Sequence, residues 1–413
     1  MRIGAIKIFR EGITRKEKYT ALLVYFLWSM PLLTFVRVVI SKLPLVGVLS
    51  DGFIPFCLAL LIIVSIGNIS KKISERDVFA WMIICVLYLI QILVFPRSNE
   101  YQYSYIVPFL ITGIPYLFIG EIIDYESEKD ALSLISVGVV IAYFVYVTFY
   151  QQSDAGSMTD QGKGEGMSQA YLVMPHVMMV LAAAFRTHKL PYIFVSVLGV
   201  FFILSLGTRG ALLYTAIFAA LYFLFLSRNK YKLLYVFLIL LLGVVTYNMF
   251  FEIMFFLQGA IEDLGMSTRI VDRLLGDTEA SITSDSGRGS IQAAVLAATM
   301  ESPWFGKGFC GSFLIVGTYP HNLFFELLCS FGVIIGSLIS IWIVYIIISA
   351  FRMALNNDER VFLLVLVMAG FAKLMTSYTF LDNFETYLML GYCLQIIRRP
   401  KYKKRLYPQT AHI

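Results

Sequence analysis

Two arginines and one histidine stand where apolar runs meet polar punctuation, each beside glycines or at a helix start. Arg209 lies in "SLGTRGALL", flanked by Gly207 and Gly210, and Arg288 lies in "SDSGRGSIQAAV", also between glycines. Glycine lets a backbone approach a ligand closely. A helix N-terminus attracts anions, and a guanidinium there adds a two-pronged fork for phosphate. The histidine is His321, which with Asn322 opens "YPHNLFFELLCSFGVIIG". On one continuous helix, positions 321, 325, 328, 332 and 336 share a face. Gly332 and Gly336 on that face make a small-residue stripe against which another helix could pack closely. This predicts a His321 side chain pointing into a helix bundle. Two readings of His321 stand: a polar start that satisfies free backbone N–H groups, or a reactive imidazole. For the arginines the plainer reading is a side chain reaching lipid headgroups. Two glycine-flanked arginines and a histidine opening on one side of a membrane suit a lipid-linked diphosphate. The chain has no DxD motif, no histidine cluster and no cysteine pair of metal-ligand spacing. Charge stabilisation would then fall to the arginines.

Further cations are expected on the same outer side: Lys42, Arg97 and Lys163, with Arg37 and Lys373 near helix ends. Any of them could meet a diphosphate or anchor the membrane interface. Glu326, Asp382 and Glu385 are rival bases or substrate contacts; solvated or interfacial carboxylates are the plainer reading. Arg269 and Arg273 lie among acidic residues that suggest ordinary pairing. In "EYQYSYIVP", Tyr101, Tyr103 and Tyr105 suggest an interfacial aromatic belt, with sugar stacking as the alternative. His176 reads as a packed or hydrogen-bonded helix residue, His188 lies in a short turn, and His412 lies in the basic tail. Five cysteines follow no disulfide framework.

These residues need elements to position them. Of the 413 residues, 59% are apolar and only 15% charged, and the mean hydropathy is +0.77. Soluble domains carry about a quarter charged residues. Repeated runs of roughly 20 apolar residues indicate membrane-spanning helices. Twelve are expected, near 19–40, 48–67, 78–95, 104–120, 131–150, 168–185, 190–206, 209–226, 231–250, 322–349, 361–380 and 384–397. The first is read as a retained helix and not a cleaved signal. With the N-terminus inside, 23 of the 33 basic residues fall on cytoplasmic segments. The expected organisation is a nine-helix region over 1–250, a large outer loop over 251–321, three helices over 322–397 and a basic cytoplasmic tail over 398–413. A loop of that length implies structure and function of its own; a short helix is expected at 290–300, stopped by Pro303. A second outer loop, 151–167, is rich in glycine and serine. The two halves share no repeat, which argues against a transporter built of matched halves. A flippase for lipid-linked sugars remains a rival reading, disfavoured because the carboxylates cluster in loops and not at mid-membrane.

At this point the residues resemble the O-antigen ligase and polymerase family of bacterial membrane proteins. "SLGTRGA" resembles its short arginine motif. "GRGSIQAAVLAATMESPWFGKGF" is similar to its outer-loop pattern of arginine, helix and "sPxxGxGf" segment, and "YPHNLFFELLCSFGVIIG" to its His-Asn helix start. The resemblance covers 205–350 in order. It implies an all-α, GT-C-like membrane glycosyltransferase in the bacterial inner membrane, with its site facing the periplasm. The expected reaction passes a glycan from undecaprenyl diphosphate to an acceptor sugar, with inversion and without metal or other cofactor. Arg209 and Arg288 would hold the diphosphate, and His321 would contact the acceptor hydroxyl or a phosphate oxygen. Asn322, Arg97, Lys42, Glu326 and Asp382 are the further substrate-binding candidates. The wording around His321 resembles the polymerases more than the ligases, which makes a second lipid-linked repeat unit the expected acceptor and lipid A core the alternative. A chain-length regulator is a conceivable partner; nucleic acid is not.

Overall fold

The computed structural model describes residues 14–33, 47–73, 75–94, 99–109, 113–149, 161–205, 208–227, 230–248 and 288–406, with a few shorter pieces. Apart from a two-residue antiparallel pairing of Arg2–Ile3 with Ile6–Lys7, the regular structure is helical. In chain order the helices are α1 (Arg15–Trp28), α2 (Gly47–Lys72), α3 (Glu75–Val94), α4 (Asn99–Pro108), α5 (Ile114–Ile122), α6 (Tyr125–Phe149), α7 (Gln161–Thr187) and α8 (Leu190–Ser205). They continue as α9 (Arg209–Leu221), α10 (Lys232–Asn248), α11 (Arg288–Glu301), α12 (Gly311–Val316), α13 (Leu323–Met353), α14 (Asn357–Val367) and α15 (Phe384–Leu406). The chain divides into two units: Met1–Val64 with Glu126–Ser286, and Ser65–Tyr125 with Gly287–Ile413.

Most expected helices appear, with corrections. Within the run at 104–120, α4 ends at Pro108 and α5 begins at Ile114 after a helical Gly113, and residues 110–112 lie outside the described residues. The tail from 398 continues α15 as far as Leu406. The 290–300 helix is α11, starting two residues earlier at Arg288, and the six-residue α12 was too short to leave a periodic signal. Nearly all of 249–287 and all of 151–160 lie outside the described residues.

Among the described residues, two helices are long and apolar enough to cross a membrane, Ser168–Thr187 within α7 and Leu323–Met353, α13 itself. Shorter apolar helices occur at Phe56–Gly67, Trp81–Gln91, Leu190–Leu204 and Gly210–Leu226. The face that α3 leaves uncovered is apolar, with Phe79 62% and Leu93 80% exposed. Water would make that face costly, whereas a hydrocarbon surround removes the penalty.

In the first unit, α7 and α8 pack as a helical pair, with Gly199 close against Val177. His176 is buried in α7 with Nδ1 3.2 Å from the Ser136 hydroxyl, which also accepts from Trp28 Nε1 at 2.9 Å. This is a satisfied interior histidine.

In the second unit α5 crosses α15 at glycine. A Cβ on Gly120 would lie 2.3 Å from the Leu388 carbonyl, and one on Gly391 would lie 2.0 Å from the Leu117 carbonyl. Only bare backbones fit there. Below the crossing, Gln395 Nε2 donates to the Ile123 carbonyl at 2.6 Å, and Arg398 meets the buried Glu121 at 3.4 Å.

Candidate functional site

His321 stands just before α13 and not on it. Its φ is +53°, a left-handed conformation that costs a non-glycine residue about 1–2 kcal/mol. Asn322, extended at φ −158°, is the N-cap. Its Oδ1 accepts from the Phe324 N–H at 2.9 Å and from the Phe325 N–H at 3.4 Å. The capping duty therefore belongs to Asn322, and the histidine is left free for another role.

The expected shared face of 321, 325, 328, 332 and 336 does not exist, for two reasons. His321 is outside the helix, and Gly332 breaks it at φ 78°, ψ 173°. The break is filled by the loop after α11. Val333 N–H donates to the Pro303 carbonyl, and Lys307 N–H donates to the Cys329 carbonyl, each at 2.7 Å. A Cβ on Gly332 would lie 2.5 Å from the Trp304 carbonyl, and one on Gly306 2.5 Å from that of Cys329. The glycines of "SPWFGKG" and of α13 thus serve one interlock. Gly336 does not receive a separate helix: its nearest backbone is the Leu327 carbonyl of α13's own first arm, 2.6 Å from where a Cβ would be. The loop is anchored on its far side at Phe309. Gln91 Oε1 accepts from its N–H at 2.7 Å, and Gln102 Nε2 donates to its carbonyl at 3.2 Å.

A second loop, 376–383, meets the imidazole. α14 runs on through a π-turn (Met368–Ala372) and a 3-10 turn (Lys373–Met375). The widened turn leaves the Gly370 carbonyl to accept from Thr386 Oγ1 at 2.6 Å and from Asn383 Nδ2 at 3.3 Å. Lys373 and Glu385, both buried, pair through both carboxylate oxygens at 3.2 Å. Glu326, in the first turn of α13, is also buried. One of its oxygens accepts from the Thr379 hydroxyl, and the other from the Phe380 N–H at 3.3 Å. Both oxygens of Glu326 are therefore committed to holding the loop.

Against this frame the His321 ring is half-buried, 4.5 Å from the Tyr319 ring by centroids. It hydrogen bonds to the backbone of Thr376, a contact that favours the protonated ring, so the imidazole donates and the carbonyl accepts. Nδ1 is buried and has no hydrogen-bond partner among the described residues. Burial lowers the imidazole's pKa most, the positive charge of Arg288 lowers it further, and the Thr376 contact partly offsets both.

Arg288 is thus within electrostatic reach of His321. It is exposed at the first position of α11, and among the described residues no carboxylate pairs with it. An exposed guanidinium with no carboxylate partner among the described residues presents positive charge beside a neutral imidazole. That combination can receive a phosphate next to a hydrogen-bond acceptor.

The other expected site residues fall differently. Arg209 opens α9 in the first unit, and its side chain lies outside the described residues. Lys42 and Arg97 lie outside them altogether. Asp382 is exposed on the 376–383 loop. Of the tyrosines, Tyr103 is 58% exposed, while Tyr101 and Tyr105 pack on Phe313 with centroids 5.4 and 5.2 Å away. Sequence reasoning missed Thr376 and the Lys373–Glu385 pair. The signal available was "TSYTFLDN", a cluster of residues whose side chains bond nearby backbone.

Residues 194–340 match the family described as O-antigen ligase. No curated protein and no solved structure matches the chain. The matched stretch takes in Arg209, Arg288, His321, Asn322 and Glu326, and it ends before Asp382.

Proposed function

We propose that this chain, which carries an O-antigen ligase domain over residues 194–340, is a membrane glycosyltransferase that polymerises a surface polysaccharide. The donor is a polyprenyl-diphosphate-linked glycan, undecaprenyl in a bacterial inner membrane, and the acceptor is the terminal sugar of another lipid-linked repeat unit. The observation that carries the reading is the electrostatic proximity of Arg288, which has no carboxylate partner among the described residues, to a His321 imidazole that burial and this arginine keep neutral.

The chemistry follows from those two groups. The His321 imidazole takes the proton of the acceptor hydroxyl as its oxygen attacks the anomeric carbon of the donor. The carbon–oxygen bond to the diphosphate breaks, and its electron pair leaves with the diphosphate. Attack opposite the leaving group inverts the anomeric centre. Arg288 stabilises the charge that develops on the departing phosphate. Asn322 and Glu326 act as positioning residues, one fixing the start of α13 and the other fixing the loop that bears Thr376. A twelve-helix topology with both termini cytoplasmic, as expected from the sequence, would put this site on the outer side, where lipid-linked repeat units are presented.

The glycan profile of a deletion strain tests the reading. Loss of a polymerase leaves surface lipid capped with a single repeat unit. Uncapped core with accumulated lipid-linked polymer would instead identify a ligase, and an unchanged profile would contradict both.

A further inference from the structure

The loop that bears Thr376 is closed at its base by a pair of charges. Lys373 opens the 3-10 turn before the loop, and Glu385 lies in the first turn of α15 after it. Both are buried, and the ammonium reaches both carboxylate oxygens at 3.2 Å. The approach needs bare backbone at Gly370, where a Cβ would lie 2.6 Å from the Glu385 carbonyl. Lys373 in turn holds the first loop residues from two sides. Its carbonyl accepts from the Thr376 N–H at 3.2 Å and from the Ser377 N–H at 2.9 Å. Its ammonium stands 4.2 Å from the centre of the Tyr378 ring, and Tyr378 is left-handed at φ +64°. Farther along, Glu326 of α13 holds Thr379 and Phe380, and the Tyr387 hydroxyl of α15 donates to the Phe380 carbonyl at 2.7 Å. Thr376, the partner of the His321 ring, is therefore fixed on both sides.

A buried ion pair adds little net stability. Taking two charges out of water costs about as much as their attraction returns, and an apolar pair of similar volume holds a fold equally well. What the charges supply is direction, since two hydrogen bonds set Lys373 against Glu385 and thereby set the backbone of Thr376. We propose that Lys373 and Glu385 are positioning residues, which clamp the base of the 376–383 loop so that the Thr376 carbonyl orients the His321 imidazole. Being buried, they act through Thr376 and not on the substrate. Both lie outside the matched stretch 194–340. Their service to glycan transfer rests on the glycosyltransferase reading above.

The test uses the full chain in lipid nanodiscs and has two readouts. Lys373→Met combined with Glu385→Leu removes one charge of each sign, fills the space with apolar side chains and should melt near the wild-type temperature. Nitrogen NMR of labelled histidine follows the His321 ring through its titration, with His321→Gln assigning the signal. The charged groups facing the ring and the pair are Arg288 of α11, Glu326 of α13 and Asp382 of the loop, and the double variant keeps all three. The Thr376 contact favours the protonated ring, so its loss should lower the pH at which the ring titrates. Transfer from a polyprenyl-diphosphate-linked repeat unit to the same unit on an aryl aglycone gives the second readout. Its kcat should fall about tenfold to a hundredfold, with the donor KM within about twofold. In a folded double variant, an unchanged titration or an unchanged kcat overturns the clamp. Should that variant not fold, Glu385→Gln carries the test, because it keeps the volume and one acceptor oxygen for Lys373. Its kcat should fall about threefold to tenfold, and a wild-type value overturns the clamp. A wild-type protein that forms no glycoside overturns the glycosyltransferase reading instead, and the ring titration then decides the clamp alone.

Discussion

At His321 the imidazole is neutral at neutral pH because burial and the Arg288 charge both oppose its protonation. A general base works in its unprotonated form, so activity should persist below the ordinary histidine value of about 6.5 and fall only in more acidic buffer. Removing Arg288 removes one of the two depressing causes. Arg288→Ala should therefore move the acid limb of the rate upward, toward 6.5, besides slowing transfer by about a hundredfold through lost charge stabilisation. Arg288→Lys keeps the charge and should leave the limb in place while losing the bidentate fork. A pH–rate profile of the two variants separates these outcomes; identical limbs would mean that Arg288 does not act on the imidazole. The residue types at this site were legible from their glycine neighbours and their places at helix starts. The geometry of His321 was not. Its left-handed backbone depends on Asn322 taking the cap, and nothing in a His-Asn pair says which residue starts the helix.

The elements matter because two loops meet at a helix that is broken. Gly332 carries φ 78°, and its missing Cβ makes room for the Trp304 carbonyl. Backbone lies on the blocking side, so no side chain can swing away. Gly332→Ala should lower stability by about 3 kcal/mol or more, combining a left-handed alanine with a backbone clash. Gly317 has a similar φ of 71° but open space around it, so Gly317→Ala should cost only about 1–2 kcal/mol. Thermal denaturation in detergent compares the two, and equal losses would mean that the interlock contributes nothing. Apolar periodicity announced α13 as one long helix because residues on both sides of the break are equally apolar. A glycine needed for its φ looks the same in sequence as one needed for packing. The 376–383 loop was visible as a polar interval, while its role was not, since its hydrogen bonds run to residues as distant as Glu326.

For the whole molecule, composition was the most informative feature. A chain this apolar, folded into helices with uncovered apolar faces, belongs in a membrane, and residues 194–340 match the family described as O-antigen ligase. The ordered motifs from Arg209 to Gly336 were readable as a set because each sits where an apolar run begins or ends. Chain segments far from that stretch also hold its loops: Gln91 of α3 and Gln102 of α4 anchor Phe309, and the loop before α15 meets Glu326 and His321. Their contribution depends on tertiary contacts that no local pattern reports. In the proposed reaction this molecule transfers a glycan from a lipid diphosphate with His321 as the base. The most direct measurement is single-turnover transfer by the protein in proteoliposomes, scored as polyprenyl diphosphate released and glycoside formed, in wild type and in His321→Ala. The account predicts equal amounts of both products from wild type and a rate lower by about two to four orders of magnitude in the variant. A variant that transfers within threefold of the wild-type rate would contradict it.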